Sequence, residues 1–192
     1  MTAERFSVAR LHGLDEAQVE ELAQVTIDCV EGGASVGFMD PLSGERAVAF
    51  WRRVAQGVRA GERALLVGID AQGICGTVHL VLGQPENQPH RADLTKMLVH
   101  RRARRQGLGA ALLCAAEDVA RQCGKTLLVL DTASAEAERL YARQGWQRVG
   151  VIPDYALLPR GGFCATTLFY RELSSAPGVE AKSARRPAIA LG

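Results

Sequence analysis

The chain has 192 residues, 47% of them hydrophobic and 23% charged, with a formal net charge of +2. That length and balance fit one globular domain with a sizeable core, and the small net charge speaks against a dedicated basic nucleic-acid binder. No run approaches the roughly 18 apolar residues of a membrane-crossing helix and no charged-then-apolar leader opens the chain, so the expectation is a cytoplasmic protein without a membrane partner.

Residues 6–11 read as a first strand, and 15–30 as a helix with Leu22, Val25, Ile27 and Val30 at helical spacing. The loop "GGASVGFMDPLSGE" follows over 32–45, and Ser43 is placed to cap a second helix over about 45–60. "ALLVGID", "AQG" and "ICGTVHLVLG" (64–83) read as a β-hairpin, and "ADLTKMLVH" (92–100) as a strand. Residues 106–123 form an amphipathic helix with Leu108, Ala111, Leu112, Ala115 and Val119 along one stripe. "TLLVLDT" (126–132) is a continuous apolar strand of the kind buried on both faces, 134–144 is a further helix, and "WQRVGVI" and "FCATTLFYREL" are closing strands. The domain is expected to span 1–173. Beyond it the composition turns to Ser, Ala, Pro and Arg, so 174–192 is expected to be a disordered tail. Cys29, Cys75, Cys114, Cys123 and Cys164 are scattered and make no CxxC, so free thiols and no metal site are expected.

The most unusual stretch is "HRRARRQGLGA", residues 100–110, with four arginines between 101 and 105 and then Gly-x-Gly. It lies between a strand and a helix. Helix N-termini expose unpaired N–H groups and a partial positive charge, so they receive anions well. Gly107 and Gly109 let the backbone approach a pyrophosphate, and Arg104 is placed to add a charged fork. Neither the P-loop pattern nor the dinucleotide fingerprint is present. A solvated basic turn or a nucleic-acid patch is the other reading of the same run, and the near-neutral net charge speaks against the second.

With its order of hairpin, strand, Arg-x-x-Gly-x-Gly, helix and buried strand, "TKMLVHRRARRQGLGAALL" resembles the coenzyme motif of the GCN5-related N-acetyltransferases (GNAT). The resemblance implies an α/β fold with a mixed, mostly antiparallel central sheet flanked by helices. It implies acetyl-CoA as co-substrate and no metal. By resemblance the amides of Gln106, Gly107, Leu108, Gly109 and Ala110 hold the pyrophosphate. Leu98 and Val99 pair with the pantetheine arm, and Arg105 and the remaining arginines meet the 3′-phosphate. The segment "AEAERLYARQGW" resembles the family's stretch around a catalytic tyrosine, which points to Tyr141 as the acid that protonates the departing thiolate. Many relatives carry Asn seven residues earlier, where this chain has Ser134 beside the pantetheine.

An amine nucleophile must lose a proton, and two carboxylates stand at candidate places. Asp131 ends the apolar strand. Asp93 lies early in strand 92–100, where strict alternation puts it on one face with Thr95, Met97 and Val99. Either is a candidate base, acting through water because a free Asp titrates at about 4. A surface charge for Asp93 and a turn or cap role for Asp131 are the structural alternatives, and Thr132 is an equal candidate for that cap. The loop "VEGGASVGFMDPL" is apolar for a surface loop, and in this family the first two helices and their connection shape the acceptor site. Gly33, Ser35, Phe38 and Met39, with Tyr155 of "PDYA", are the candidate acceptor residues. "EGGASVGFM", "LDT" and "RVGVIPDYA" are similar to the tabtoxin-resistance branch of the family, bacterial enzymes that acetylate a β-lactam toxin. The expected reaction is therefore direct acetyl transfer to the primary amine of a small molecule, with a homodimer compatible with the family. A protein or peptide acetyltransferase, which needs an open groove, and a non-catalytic coenzyme-A-binding regulator are the alternatives.

Overall fold

The computed structural model describes residues 5–173. The expected tail at 174–192 lies outside the described residues. In chain order the elements are β1 (Ser7–Leu11), α1 (Glu16–Glu31), α2 (Gly44–Arg59), β2 (Arg63–Asp70), β3 (Gly73–Val81), β4 (Arg91–Val99), a 3-10 turn (Arg101–Ala103), α3 (Leu108–Gln122), β5 (Leu127–Thr132), α4 (Ala135–Arg143), β6 (Gln147–Leu157) and β7 (Phe163–Glu172). The seven strands form one sheet in the order β1-β2-β3-β4-β5-β7-β6. Every neighbouring pair is antiparallel except β4–β5.

Two cores sandwich the sheet. On one face α1 and α2 bury Leu22, Val30 and Trp51 against Leu65, Val67 and Leu98. On the other, Leu108, Leu112 and Leu113 of α3 and Tyr141 of α4 pack on Leu66, Leu80, Leu128 and Phe169. Each such large side chain contributes about 1.5–3 kcal/mol when fully buried. The central strands β2 and β3 are covered on both faces, which explains why their sequences are nearly continuously apolar. Polar links lock the layers. The Trp51 indole N–H donates to Thr26 Oγ1 at 2.8 Å, and the Trp146 indole N–H donates to Glu117 Oε1 at 2.9 Å.

Capping residues set the helix starts. Asp15 and Gln18 form a reciprocal capping box on α1, Ser43 caps α2 and Ser134 caps α4. The helix read from the sequence as 106–123 begins at Leu108 instead, because Gly107 at φ +90° is its left-handed N-cap. β6 is longer than read. It continues through Pro153 to Leu157 by means of an irregularity between Ile152 and Ala156, which a proline tolerates on an edge strand. Among the described residues no helix is long and apolar enough to cross a membrane. All five cysteines are free.

Candidate active site

The parallel pair β4–β5 is joined over only three registers, Arg91–Asp93 against Leu127–Val129. Beyond them β4 keeps its pairing to β3 alone, and β5 its pairing to β7 alone. The two strands part, and the inner backbone edge of β4 beyond Asp93 faces an opening rather than a neighbour. Within that free stretch β4 carries a bulge. Thr77 pairs with Leu98 and His79 with Thr95, so Val78 alone opposes Lys96 and Met97, and Lys96 takes φ +52°. The bulge corrects the alternation expected for this strand. Met97 and Val99 pack into the α3 core and Leu98 into the α1–α2 core, while the Lys96 ammonium reaches the α2 side, 5.6 Å from the centre of the Phe50 ring.

The glycine run meets this opening. Leu108 is fully buried, and a Cβ on Gly68 or Gly76 of the sheet would come within 2.4 or 2.9 Å of its side chain, so both strands are glycine where α3 is seated. A Cβ on Gly109 would stand 3.3 Å from Leu140 of α4. In front of Gly107 there is open space, with nothing within 4 Å of a built Cβ. The helical ladder starts with the Ala111 N–H donating to the Gly107 carbonyl at 3.1 Å, which leaves the amides of Leu108, Gly109 and Ala110 without an intrahelical acceptor. The other three helices have a side-chain cap and a glutamate in the first turn, whereas α3 has neither. Uncapped donors, a favourable dipole and no competing carboxylate make a receptor for an anion, so the residues present fit a pyrophosphate.

The arginines are used differently from the expectation. Asp28, buried at the end of α1, accepts the Arg101 amide at 2.9 Å and the Arg101 Nε–H, and lies 3.5 Å from His100 and 3.9 Å from Arg104. Arg102 donates to Asp70 at 2.9 Å and to the Ile74 carbonyl at 3.0 Å, and this contact holds the Asp70 carboxyl below its usual range. Arg104 turns back to donate from Nε to the Val99 carbonyl at 3.0 Å. A buried carboxylate demands partners, and the run supplies them. Arg101, Arg102 and Arg104 therefore brace the loop. Arg105, at φ +60°, is 90% exposed and stands 3.8 Å from Glu136. Gln106 donates its side-chain amide to the Arg102 carbonyl at 2.8 Å.

Tyr141 is 3% exposed and packs between Trp146 and Phe169, with ring centroids 5.7 Å from each. Burial and the charge of Asp131 push its phenol well above the usual range, so it keeps its proton at neutral pH. Among the described residues no side chain takes up its hydroxyl. Asp131, at the open end of β5, accepts the Thr166 hydroxyl at 2.8 Å and acts electrostatically on both Tyr141 and Lys96. Asp93 sits at the joined end of the two strands, bound to Arg91 Nη1 and, at 3.0 Å, to Gln84 Nε2. Asp131 thus reaches Tyr141 electrostatically, while Asp93 sits in a separate polar cluster. Neither Asp131 nor Thr132 caps α4. Ser134 does, accepting the Ala137 amide at 3.3 Å while its own N–H donates to Thr132 Oγ1.

The α1–α2 loop is fastened over the opposite side of the opening. Ser35 Oγ donates to the Leu157 carbonyl at 3.2 Å, the Asp40 N–H donates to the Pro159 carbonyl at 2.9 Å, and Arg160 donates to Asp40 Oδ2 at 2.9 Å. Phe38 packs edge-on against Phe50, 5.3 Å between centroids. Gly33 and Gly37 both adopt φ +86°, and a Cβ at Gly37 would stand 3.6 Å from Lys96 Nζ. Ser35 is therefore a staple and Phe38 a wall, while Met39 and Tyr155 stand exposed. Lys96 and Thr166 were missed from sequence. The signal for Lys96 was present: strict alternation assigns it to one face with Ala92, Leu94 and Leu98, where an ammonium does not belong.

A model of the acetyltransferase (GNAT) family matches residues 35–146. The uncharacterized N-acetyltransferase of the hisH–hisA intergenic region of Azospirillum brasilense is 31% identical over 132 residues, 68% of this chain and 77% of that protein. Among solved structures, yncA of Salmonella typhimurium with its cofactor acetyl-CoA superposes with a TM-score of 0.73 at 18% identity, covering 95% of this chain and 100% of that one. The phosphinothricin acetyltransferase of Sinorhizobium meliloti in complex with acetyl-CoA gives 0.71 at 15% identity, covering 92% and 96%. At such identities the structural likeness speaks for the fold.

Proposed function

This chain belongs to the GNAT acetyltransferase family and is an N-acetyltransferase, and on that premise we propose that it moves the acetyl group of acetyl-CoA to the primary amine of a small molecule by direct attack in a ternary complex. The observation that carries the reading is the parting of β4 from β5 in front of the uncapped, acid-free start of α3. Acetyl-CoA supplies an acetyl thioester. The free amides of Leu108, Gly109 and Ala110 hold its pyrophosphate, with Gly107 leaving the approach clear and Arg105 adding charge at the rim. The free edge of β4 up to Leu98 pairs with the pantetheine arm. The Val99 carbonyl is already engaged by Arg104 and by the Cys29 thiol, so its part in that pairing is confined to the amide.

On the acceptor side Asp131 takes the proton of the attacking amine, directly or through one water, and Thr166 orients the carboxylate. Tyr141 donates its hydroxyl proton to the departing sulfur. Its raised affinity for that proton keeps the donor loaded until a thiolate develops beside it. Burial likewise keeps the Cys29 thiol protonated, so attack by the amine itself is a simpler path than an acetyl-cysteine. Holding both reactants in one cleft supplies much of the rate.

The α1–α2 loop, stapled to the β6–β7 turn, favours a walled acceptor pocket over an open peptide groove. The finer reading is an enzyme that inactivates a β-lactam toxin or related antimicrobial by acetylating its amine. It rests on the "EGGASVGFM" block, which supplies Ser35, Gly37 and Phe38 to that wall. The test is release of free coenzyme A from acetyl-CoA with a panel of small amines and lysine peptides. Transfer confined to peptides would overturn the small-molecule reading.

A further inference from the structure

Lys96 is the residue that the transfer chemistry above leaves without a task. Its side chain lies against the Phe50 ring and under Gly37, yet among the described residues its ammonium has no hydrogen-bond or ion-pair partner. A charge in such surroundings is costly unless something pairs with it. The backbone is arranged to put it there. A bulge and a left-handed φ of +52° turn Lys96 out of the face that alternation would give it, a strained geometry for a lysine within a strand. Gly37, itself at φ +86°, keeps the space above the ammonium free of a side chain. Next to it the Thr95 hydroxyl is buried with no partner. Asp131, close enough to act on Lys96 electrostatically, is engaged by Thr166 rather than by the lysine.

An unpaired cation and a carboxylate that flank one opening complement a molecule carrying both charges. We propose that the acceptor is an amine bearing a carboxylate, an amino acid or a compound built like one. Its acid group is bound by Lys96 Nζ, and its amine is presented to Asp131. The inference rests on the reaction proposed above and names the class of its acceptor. Burial already pulls the Lys96 ammonium below its usual range and the charge of Asp131 opposes that shift, so a bound carboxylate would reinforce the charged form.

The test compares matched acceptors with acetyl-CoA: β-alanine against β-alaninamide and L-lysine against L-lysinamide, followed by free coenzyme A. The wild type should favour the acids by about tenfold or more in kcat/KM, the size expected of one charge-assisted hydrogen bond. Lys96→Met keeps the contact with Phe50 and should bring acid and amide within about twofold, through KM for the acid, with acetyl-CoA affinity by calorimetry unchanged. Equal use of acids and amides by the wild type, or an acid preference that survives in Lys96→Met, would overturn the proposal while leaving the acetyltransferase reading intact. Mass spectrometry showing an acetyl group on Lys96 after incubation with acetyl-CoA alone would also overturn it, because the lysine would then be an acceptor itself. Binding of acetyl-CoA without transfer to any amine would remove the reaction and this inference together. Should Lys96→Met fail to fold, the wild-type acid-to-amide ratio decides by itself.

Discussion

The two ends of the β4–β5 pair carry the same chemistry to different uses. At the joined end Asp93 is held by Arg91 and Gln84, in a cluster whose charges and hydrogen bonds are mutually satisfied. At the parted end Asp131 has one hydroxyl on it, a lysine and a tyrosine within its electrostatic reach, and open space beside it. Both are aspartates on neighbouring strands. What distinguishes them is whether the backbones between them are paired. Asp131 lies where the sheet stops satisfying its own edges, and Asp93 lies where it still does.

The largest effect expected from breaking this contrast is at Tyr141. Tyr141→Phe keeps the ring between Trp146 and Phe169 and removes only the hydroxyl, so folding should be preserved. A general acid contributes typically ~10²–10⁴-fold, and a thiol is a fair leaving group, so kcat should fall roughly a hundredfold. The loss should shrink with thioesters of more acidic thiols. Wild-type kcat in a folded Phe variant would confine Tyr141 to packing.

The bulge that divides the two ends offers a stability test. His79 lies opposite Thr95, and its Nε2 faces Arg63 Nη1 at 3.2 Å. A guanidinium only donates, so Nε2 accepts and the ring is neutral with its proton on Nδ1. Burial first, then Arg63 and Lys96, depress this histidine from 6.5 to about 3. The unfolded chain therefore binds a proton that the folded one refuses, and stability falls as pH drops below the unfolded value, over the window from 6.5 toward 3. The loss at pH 5 relative to pH 8 is about 2 kcal/mol for this one group. In thermal melts His79→Gln, which keeps an acceptor for Arg63, should lose less between those pH values than the wild type. Parallel pH profiles would contradict the burial argument.

A smaller effect is expected at the phosphate end. Gly107→Glu places a side chain and a negative charge where the approach is clear, at a backbone conformation that strains any residue but glycine. Affinity for acetyl-CoA should fall by about tenfold or more, about 1.4 kcal/mol, in calorimetry. Unchanged affinity in a folded variant would remove the cradle.

Much of this was legible in the sequence, because local signals agreed with the fold. Ser43 capped the helix it was expected to cap, and the apolar run 126–132 became the strand β5, although only Leu128 and Leu130 are buried and its other face is half-buried or exposed. Tyr141 on the following helix lies within the electrostatic reach of Asp131. What local pattern did not show is which side chains fold back to meet these residues. Arg101 and Arg104 read as phosphate ligands because nothing local revealed Asp28, 73 residues away from Arg101 and buried. For Asp93 the sequence leaves a candidate base, and the polar cluster it joins depends on Arg91 and on Gln84 folding back on it. Lys96 went unnoticed because a bulge depends on the partner strand's register, although its place on an otherwise apolar face was a warning.

The placing of acetyl transfer at the parted end of β4–β5, with Asp131 as base, can be tested on the two aspartates. Steady-state kinetics of Asp131→Asn and Asp93→Asn, side by side on the best amine, test it most directly. Asp131→Asn should lose roughly a hundredfold in kcat, partly recovered as pH rises and the free amine fraction grows, because a base contributes typically ~10²–10⁴-fold. Asp93→Asn should stay within about threefold of wild type once folded, since surface and satisfied polar clusters act on stability rather than on the transition state. The reverse ranking, with Asp93→Asn inactive and Asp131→Asn unimpaired, would contradict it.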